Sequence, residues 1–512
     1  MSHRTHWQDT EMPHFASLQE DVKCDVLVVG GGITGLTAAY LLLKAGKSVC
    51  LIERDVIGGG DTGRTTAHLT YVTDKRLTDL AERFGRNAAK LVWQGGAAAI
   101  HTIERIIDSE HIDCDFQRIP GFLHAPILSD EDETEMLQED RQLAQQLGFD
   151  ASFVSLVTPI GKPGICFANQ AKFHPLRYLS GLARVVRADG GLIFEHTEAT
   201  EFSEHPRRVK ANGRRIDASY VVIATHVPLV GEAGMIGATL LQTKLAPYSS
   251  YVVGAEIPKD AFPEALYWDT SDPYDYLRVD HGAAADYAVF GGQDHKTGQD
   301  KNPLERYAQL EMRLKQLIPQ ARIERRWSGQ VVETNDGLPY IGETASNQFA
   351  ATGFSGNGMT FGTLAAMMAC DAAQGRDNPW KELFAVERKT MSSAWDYLKE
   401  NFDFPYYLLR DRLIPTEGVS PEVVRPGEGK ILSIDGRRVA CSRDKSGKLQ
   451  SVSAICTHLG CVVHWNSAAE TWDCPCHGSR FAASGEVMAG PAESDLEKVA
   501  VEDTKQATFG VR

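Results

Sequence analysis

Apolar and polar positions along the chain follow two periods, and the switches between them mark elements. Val26 to Val29 form an unbroken apolar run of strand length. Leu36, Ala39, Tyr40 and Leu43 then recur at helical spacing, and Ser48 to Ile52 reads as a second strand. Residues 24–55 (CDVLVVGGGITGLTAAYLLLKAGKSVCLIERD) therefore predict one βαβ unit with a glycine turn. Short strands return over residues 190–225, ending in YVVIAT, and over 245–295, where SSYVVGAEI, YDYLRV and YAVFGG are separated by Pro, Asp and Gly. From Ala350 a second glycine turn runs into a helix, FAATGFSGNGMTFGTLAAMMACDAA. Residues 377–426 hold an aromatic-rich helical stretch and then RDRLIPTEGVSPEVVRPGEG, whose three prolines suit a connector. A β-rich segment, KILSIDGRRVACSRD, follows.

Composition narrows the classes. A chain of 512 residues allows roughly three folding units at about 150 residues each. Lys and Arg total 53 against 68 Asp and Glu, a net charge of −15, so a polyanion partner gains nothing and nucleic acid is not expected. The mean hydropathy of −0.26 is that of an ordinary globular protein. The N-terminus lacks an apolar h-region, and the stretch 220–241 contains His226, Pro228 and Glu232, so it reads as a strand plus loop and no transmembrane segment is expected. A cytoplasmic protein is the expectation. The acidic run SDEDETEMLQED, residues 129–140, reads as a solvated loop and helix start.

Gly30, Gly32 and Gly35 form G-x-G-x-x-G at the strand-to-helix turn, with Glu53 eighteen residues beyond Gly35. Glycines there permit a tight turn and let a pyrophosphate approach the N–H groups of the helix N-terminus, while the acidic residue accepts from a ribose hydroxyl. Ile33, Thr34 and Arg54 lie in the same fingerprint. The motif by itself does not separate FAD from NAD.

The motifs GGGITG with IERD, GGGDTGRTTAHLT (58–70), FHPLRYLSGLA (173–183), and WSGQVVETNDGLPYIGE followed by ATGFSGNGMTFG (327–362) together resemble the D-amino-acid-oxidase-like family of FAD-dependent oxidoreductases, the glycine/D-amino acid oxidase type. The resemblance spans most of residues 20–375. It implies that Arg64, Thr65 and Thr66 contact FAD and that Gly353, Gly356, Asn357, Gly358, Met359 and Thr360 cradle the flavin. A helix N-terminus there would stabilise the negative charge of reduced flavin. Noncovalent FAD is expected, since Arg64 holds the usual attachment position and His68 is displaced from it.

CTHLGC (456–461) and CPCHGS (474–479) supply Cys456, His458, Cys474 and His477, with fifteen residues between His458 and Cys474. Two thiolates and two imidazoles match the ligation of a Rieske 2Fe-2S centre, and zinc is the alternative. The extra Cys461 and Cys476 resemble the disulfide beside the cluster in Rieske proteins of electron-transfer complexes, and GPA at 490–492 resembles their proline loop. Ser479 retains one hydrogen-bond donor of high-potential members. Phe481 stands where those members carry tyrosine, so a potential below the top of the Rieske range is expected.

The fold class expected is an α/β FAD-binding Rossmann-type domain with an inserted α+β substrate domain, plus a C-terminal all-β Rieske domain. The boundaries are 20–80, 160–235 and 325–375 for the FAD-binding domain, 81–159 and 236–324 for the substrate domain, 376–420 for a helical, proline-rich linker and 421–512 for the Rieske domain. The combination predicts oxidation of a small organic substrate, an amine or amino acid, at FAD, and single-electron transfer through the cluster to an external acceptor, protein or otherwise. Arg278, on a strand resembling the family's Tyr-x-Arg strand, is the candidate carboxylate clamp, with Tyr276 or Tyr251 beside it. Other readings stay open: a component fed by a protein partner or an NAD(P)H-linked reductase, although a second G-x-G-x-x-G is missing, and a noncatalytic carrier or redox sensor.

Overall fold

In the computed structural model, which describes residues 4–204, 207–227, 244–388 and 403–501, the unbroken apolar run of strand β1 (Val22–Val29) has a direct cause. Val26 and Val28 pack on one face with Leu36 and Ala39 of helix α1 (Ile33–Lys44). Leu27 and Val29 pack on the other face with Ile216 and Ile223. Successive strand residues point to opposite faces, and both faces are covered from Val26 to Val29, so no polar position is tolerated there, whereas Lys23 and Asp25 at the start of the strand are exposed. β1 pairs in parallel with β2 (Val49–Ile52), Val26 opposite Val49, and with Arg214–Ile223, Val26 opposite Tyr220. Gln348–Thr352 and Leu192–Phe194 extend this eight-stranded sheet on either side. Of the expected strand plus loop over 220–241, residues 228–241 lie outside the described residues.

A second, nine-stranded sheet runs in the spatial order Arg322–Thr334, Leu245–Ile257, Asp286–Lys296, Tyr276–Asp280, Leu266–Asp269, Gln117–His124, Lys162–Lys172, His68–Leu69, with Ala151–Val157 beside Lys162–Lys172. Helix Pro303–Leu317 covers it through Tyr307, Leu310 and Leu314. The expected boundaries shift accordingly. Lys162–Lys172 and residues 325–334, assigned from sequence to the FAD-binding domain, are strands of the second sheet. Helix Arg86–Glu110, assigned to the substrate domain, packs Val92, Ile100 and Ile103 into the core beneath the first sheet, with Leu364 and Met368 of helix Gly358–Ala372. An apolar pattern states that a face is buried, not against which partner.

The C-terminal segment forms two small antiparallel sheets, Gly429–Ile434 with Arg437–Arg443 and Leu449–Ser453, and His464–Asn466 with Thr471–Asp473, Arg480–Ala482 and Val487–Ala489. Trp472 and Phe481 face each other in its core. It docks tightly on the second sheet. A Cβ on Gly298 would lie 2.7 Å from the Cys474 carbonyl carbon, and one on Gly478 2.5 Å from Pro247, so both glycines, at positive φ, set the closeness of approach. Gln299 Nε2 donates to the Pro475 carbonyl (3.0 Å), and His464 bonds the Gly298 carbonyl through Nδ1 (2.8 Å).

The expected linker is anchored at both ends. Trp380 Nε1 donates to the Leu91 carbonyl and Arg388 pairs with Asp336, while at the far end Asp411 meets His464 Nε2 (2.9 Å) and Arg412 donates to the Gly460 carbonyl. Residues 389–402 of the aromatic-rich stretch lie outside the described residues. Among the described residues no helix is long and apolar enough to cross a membrane.

Candidate active site and cluster site

One continuous cavity runs between the two sheets, from the glycine turn after β1 to the strand Tyr276–Asp280. At its first end Gly30 adopts φ +113°, and a Cβ there would lie 2.4 Å from the Ala224 carbonyl oxygen; a Cβ on Gly35 would fall 1.9 Å from the Gly30 oxygen. The turn is therefore glycine by necessity. The Gly31 N–H donates to Glu53 Oε2 (2.6 Å) and the Asp55 N–H to Oε1 (2.9 Å), while burial pushes the Glu53 carboxyl up. Helix α1 has no side-chain cap and no acidic residue in its first turn, which leaves its positive end to an anion. Gly30, Gly32, Ile33, Thr34, Glu53 and Arg54 line the cavity, and Gly35 supports it from behind.

The stretch after β2 forms the next wall. Arg64, Thr65 and Thr66 face the cavity, with the Arg64 carbonyl accepting from Trp327 Nε1 (2.8 Å) and the Thr65 carbonyl from Trp7 Nε1 (2.6 Å). His68 lines it too; its Nδ1 meets Thr66 Oγ1 at 3.0 Å, and burial lowers its pKa to about 3. From the late turn, Gly356, Asn357, Gly358 and Met359 line the cavity, and a Cβ on Gly358 would project into open space at the uncapped start of its helix. Gly353 and Thr360 stand back from it. Gly353, at φ +75°, packs on Thr334, and Thr360 Oγ1 donates to the Asn357 carbonyl. The donor-rich walls, two open helix N-termini and glycine surfaces fit an extended dinucleotide with a ring at its far end.

The far end corrects the expected substrate clamp. Arg278 does not line the cavity: its Nε donates to Asp280 (2.9 Å) and its Nη1 to the carbonyls of Ala67 (3.1 Å) and Phe173 (2.9 Å), which hold together three segments of backbone. Tyr251 is fully buried, packed on Tyr307 and bonded by Asn466 Nδ2 (3.4 Å). Of the three, Tyr276 alone faces the cavity, its hydroxyl 2.8 Å from Ser250 Oγ. Its neighbours there are Trp268, Tyr274, Asp74, Asp269 and Asp294, none of which the motifs singled out. Asp140, in the acidic run expected to be solvated, is buried at the cavity and paired with Arg76 (2.7 Å).

The cluster site adjoins this cavity. Cys456 and Cys474 are buried with their thiols within hydrogen-bond reach, which lowers Cys456 and raises Cys474. The rings of His458 and His477 stand 5.0 Å apart between centroids and 86° to each other. Two sulfur and two imidazole donors so gathered fit a [2Fe-2S] cluster with a different donor pair on each iron. Cys461 and Cys476 form a disulfide beside Cys474. Ser479 Oγ accepts from the Ala492 N–H (3.0 Å), and Phe481 is fully buried. Residues 488–492 of this segment, including the 490–492 loop, also line the large cavity, and Gln330 Nε2 donates to the carbonyl of Gly478, the residue after His477 (2.8 Å).

Comparisons with known proteins agree with this division. Residues 25–372 match the family model DAO, FAD dependent oxidoreductase, and residues 418–500 match the Rieske [2Fe-2S] domain. YhfW of Bacillus subtilis (strain 168), named as a Rieske 2Fe-2S iron-sulfur protein, is 34% identical over 504 residues, 97% of each chain. Gamma-glutamylputrescine oxidoreductase of Escherichia coli (strain K12) is 26% identical over 78% of this chain and 95% of its own. Glycine oxidase from Geobacillus kaustophilus shares the fold with a TM-score of 0.60 at 19% identity, over 72% of this chain and 99% of that one. The chain belongs to the DAO family of FAD-dependent oxidoreductases, with FAD and a [2Fe-2S] cluster as its cofactors and a Rieske domain at its C-terminal end.

Proposed function

We propose that this protein oxidises a small amine or amino acid and passes the electrons one at a time, by way of its Rieske domain, to an external acceptor. Bound FAD supplies removal of a hydride from the carbon beside the nitrogen, leaving an imine, and the cluster supplies one-electron uptake. On this reading the turn at Gly30, Gly32 and Gly35 with Glu53 and Arg54 holds the dinucleotide, and Arg64, Thr65, Thr66 and the turn Gly356 to Met359 hold its flavin end without a covalent bond. Cys456, His458, Cys474 and His477 hold the cluster. Tyr274, Tyr276 and Trp268 orient the substrate and exclude water from it. A cytoplasmic setting, reducing enough to keep Cys24, Cys50 and Cys114 as thiols, belongs to the same proposal.

The observation that carries this reading is the shared wall: residues 488–492 of the Rieske domain line the same cavity as Gly30 and Gly356, and Gln330 joins that cavity to the loop of His477. A domain docked there serves electron transfer between the two cofactors. The test is anaerobic mixing of the holoprotein with amines and amino acids, following flavin bleaching and the EPR signal of the reduced cluster in one sample. Both signals are expected from the same substrate. Bleaching without a cluster signal refutes the relay, and bleaching by no amine or amino acid refutes the substrate class.

A further inference from the structure

The substrate end of the cavity has a charge pattern of its own. Three carboxylates face it from three separate segments: Asp74 after the first pyrophosphate wall, Asp269 at the end of one strand and Asp294 within another. Asp74 accepts from the Tyr274 hydroxyl (3.0 Å) and the Gly356 N–H (2.7 Å). Asp269 is buried and accepts from the N–H groups of Ser271 (3.0 Å) and Asp275 (3.2 Å) through Oδ1. Asp294 Oδ1 is sealed from bulk solvent and has no hydrogen-bond partner in the protein. A buried carboxylate oxygen with no partner is unfavourable unless something absent from the chain supplies the bond.

Among the described residues, Lys75 acts on Asp74, but no lysine or arginine stands among the neighbours that act on Asp294 or Asp269. Among the described residues the guanidiniums lining the cavity are Arg54, Arg64 and Arg76. Arg76 is committed to Asp140, Arg54 donates to the Met488 carbonyl, and Arg64 lies on the wall after β2 near Asp61. Arg313 pairs with Asp275 outside the cavity. The charged neighbours that act on Asp294 are Asp74, Asp275 and Asp272, all acidic, and burial together with them pushes its carboxyl up to about 7. Asp269 rises to about 7 for the same reasons, burial and then Asp275.

Aromatic rings complete the end. Trp268, Tyr274 and Tyr276 border it, and Tyr276 is pinned against Gly291, where a Cβ would fall 2.3 Å from the ring. Ring faces beside carboxylates suit an ammonium, which gains from both the ring quadrupole and the anion. A substrate carboxylate would meet repulsion here, and no arginine stands among the neighbours that act on these three carboxylates.

We propose that the substrate end of the cavity is a subsite for an ammonium, formed by Asp294, Asp269 and Asp74 with Trp268, Tyr274 and Tyr276, so that the substrate is an amine bearing a second cationic nitrogen rather than an α-amino acid. This rests on the oxidase reading above and names its substrate class. One nitrogen is held by the carboxylates while the other, neutral, lies at the reacting end.

Calorimetry on the dithionite-reduced holoprotein, which cannot turn the ligand over, tests the subsite by binding alone. The probes are 1,4-diaminobutane, 1-aminobutane and 4-aminobutanoate. The diamine is expected to bind at least about tenfold more tightly than the monoamine, and the amino acid more weakly than either. Asp294→Asn is expected to erase most of the preference for the diamine while flavin absorbance and cluster EPR stay unchanged. Should that variant lose a cofactor, Asp269→Asn carries the same expectation. Equal binding of diamine and monoamine, tighter binding of 4-aminobutanoate, or a preference untouched in the cofactor-loaded variant overturns the proposal. The anaerobic screen reads the oxidase proposal separately: amines that bleach the flavin without this preference leave the oxidase reading standing and remove the subsite.

Discussion

The cluster site and the substrate end of the cavity lie in one molecule and are built in opposite ways. The four proposed cluster donors come from two loops within a span of 22 residues, 456 to 477. The proposed substrate end draws Asp74, Trp268, Asp269, Tyr276 and Asp294 from a span running from residue 74 to residue 294. A metal cluster demands particular donor atoms at close quarters, and short loops satisfy that demand through local spacing. An organic substrate demands a shape and a charge balance, which any set of strands brought side by side can supply.

That contrast can be broken or sharpened by experiment. The largest effect is expected from Cys474→Ala, which removes one of the four donors. The reduced-cluster EPR signal should disappear while the flavin absorbance remains; a retained cluster signal would unseat Cys474 as a ligand. Next comes Arg278→Met, which leaves three backbone carbonyls in the interior without their donor and Asp280 with Lys172 as its cationic partner. A loss on the order of 1–3 kcal/mol in urea unfolding is expected from leaving buried carbonyls without their hydrogen bonds. A change in substrate affinity at unaltered stability would instead restore Arg278 to the pocket.

A third test uses pH. Asp294 and Asp269, both raised to about 7 by burial, bind protons more tightly when folded than unfolded. Their contribution to stability is full below the unfolded value near 4 and is lost as pH rises through about 7. Glu333, pushed up to about 8 by burial and then by Asp74, acts in the same direction, with Lys75 opposing. Buried histidines lowered to about 4, such as His124 and His174, act in the opposite direction in both proteins, so the test is the difference. Without amine, Asp294→Asn should gain urea midpoint relative to the parent protein between pH 5 and pH 8. Diamine binding should strengthen over the same interval, because the ammonium favours the ionised carboxylate. A midpoint difference between the two proteins that is independent of pH would contradict the assigned burial of Asp294.

The smallest effect is expected at the cluster's surroundings. Phe481 is fully buried opposite Trp472 and offers no hydroxyl. Phe481→Tyr adds a donor near the cluster sulfurs, and a hydrogen bond of about 1 kcal/mol corresponds to a rise of about 40 mV for one electron. Equal midpoints in redox titrations of the two proteins would show that the new hydroxyl does not reach the sulfur.

The two regions also differ in how far they could be read beforehand. The glycine turn was legible because each of its glycines answers a local constraint: Gly30 has φ +113°, and Gly35 lies against the Gly30 oxygen a few residues earlier. The disulfide pairing, carried by family resemblance, is present in the structure, and the four donors expected at the cluster were named from the spacing of two short motifs. Arg278 and Tyr251 were misread because a strand's sequence states which residues alternate but not which face meets the cavity. Tyr276 and Arg278 stand two apart on one strand, yet the tyrosine reaches the cavity and the guanidinium turns to the carbonyls of Ala67 and Phe173. Gln330 lies in a motif that resembles the family, yet nothing in that motif pointed to the Rieske domain, since its partner, the Gly478 carbonyl, lies 148 residues away.

What this sequence determines by itself is chemistry tied to local geometry: a dinucleotide turn, a Rieske cluster domain and the order of the units along the chain. Only the tertiary structure decided that residues 488–492 close the flavoprotein cavity, that Lys162–Lys172 and Arg322–Thr334 belong to the second sheet, and that the substrate end is acidic. The physical reason is range. Backbone turns and metal coordination act over a few ångströms between residues near in sequence, whereas burial, charge balance and domain contact arise between segments that only the folded chain brings together.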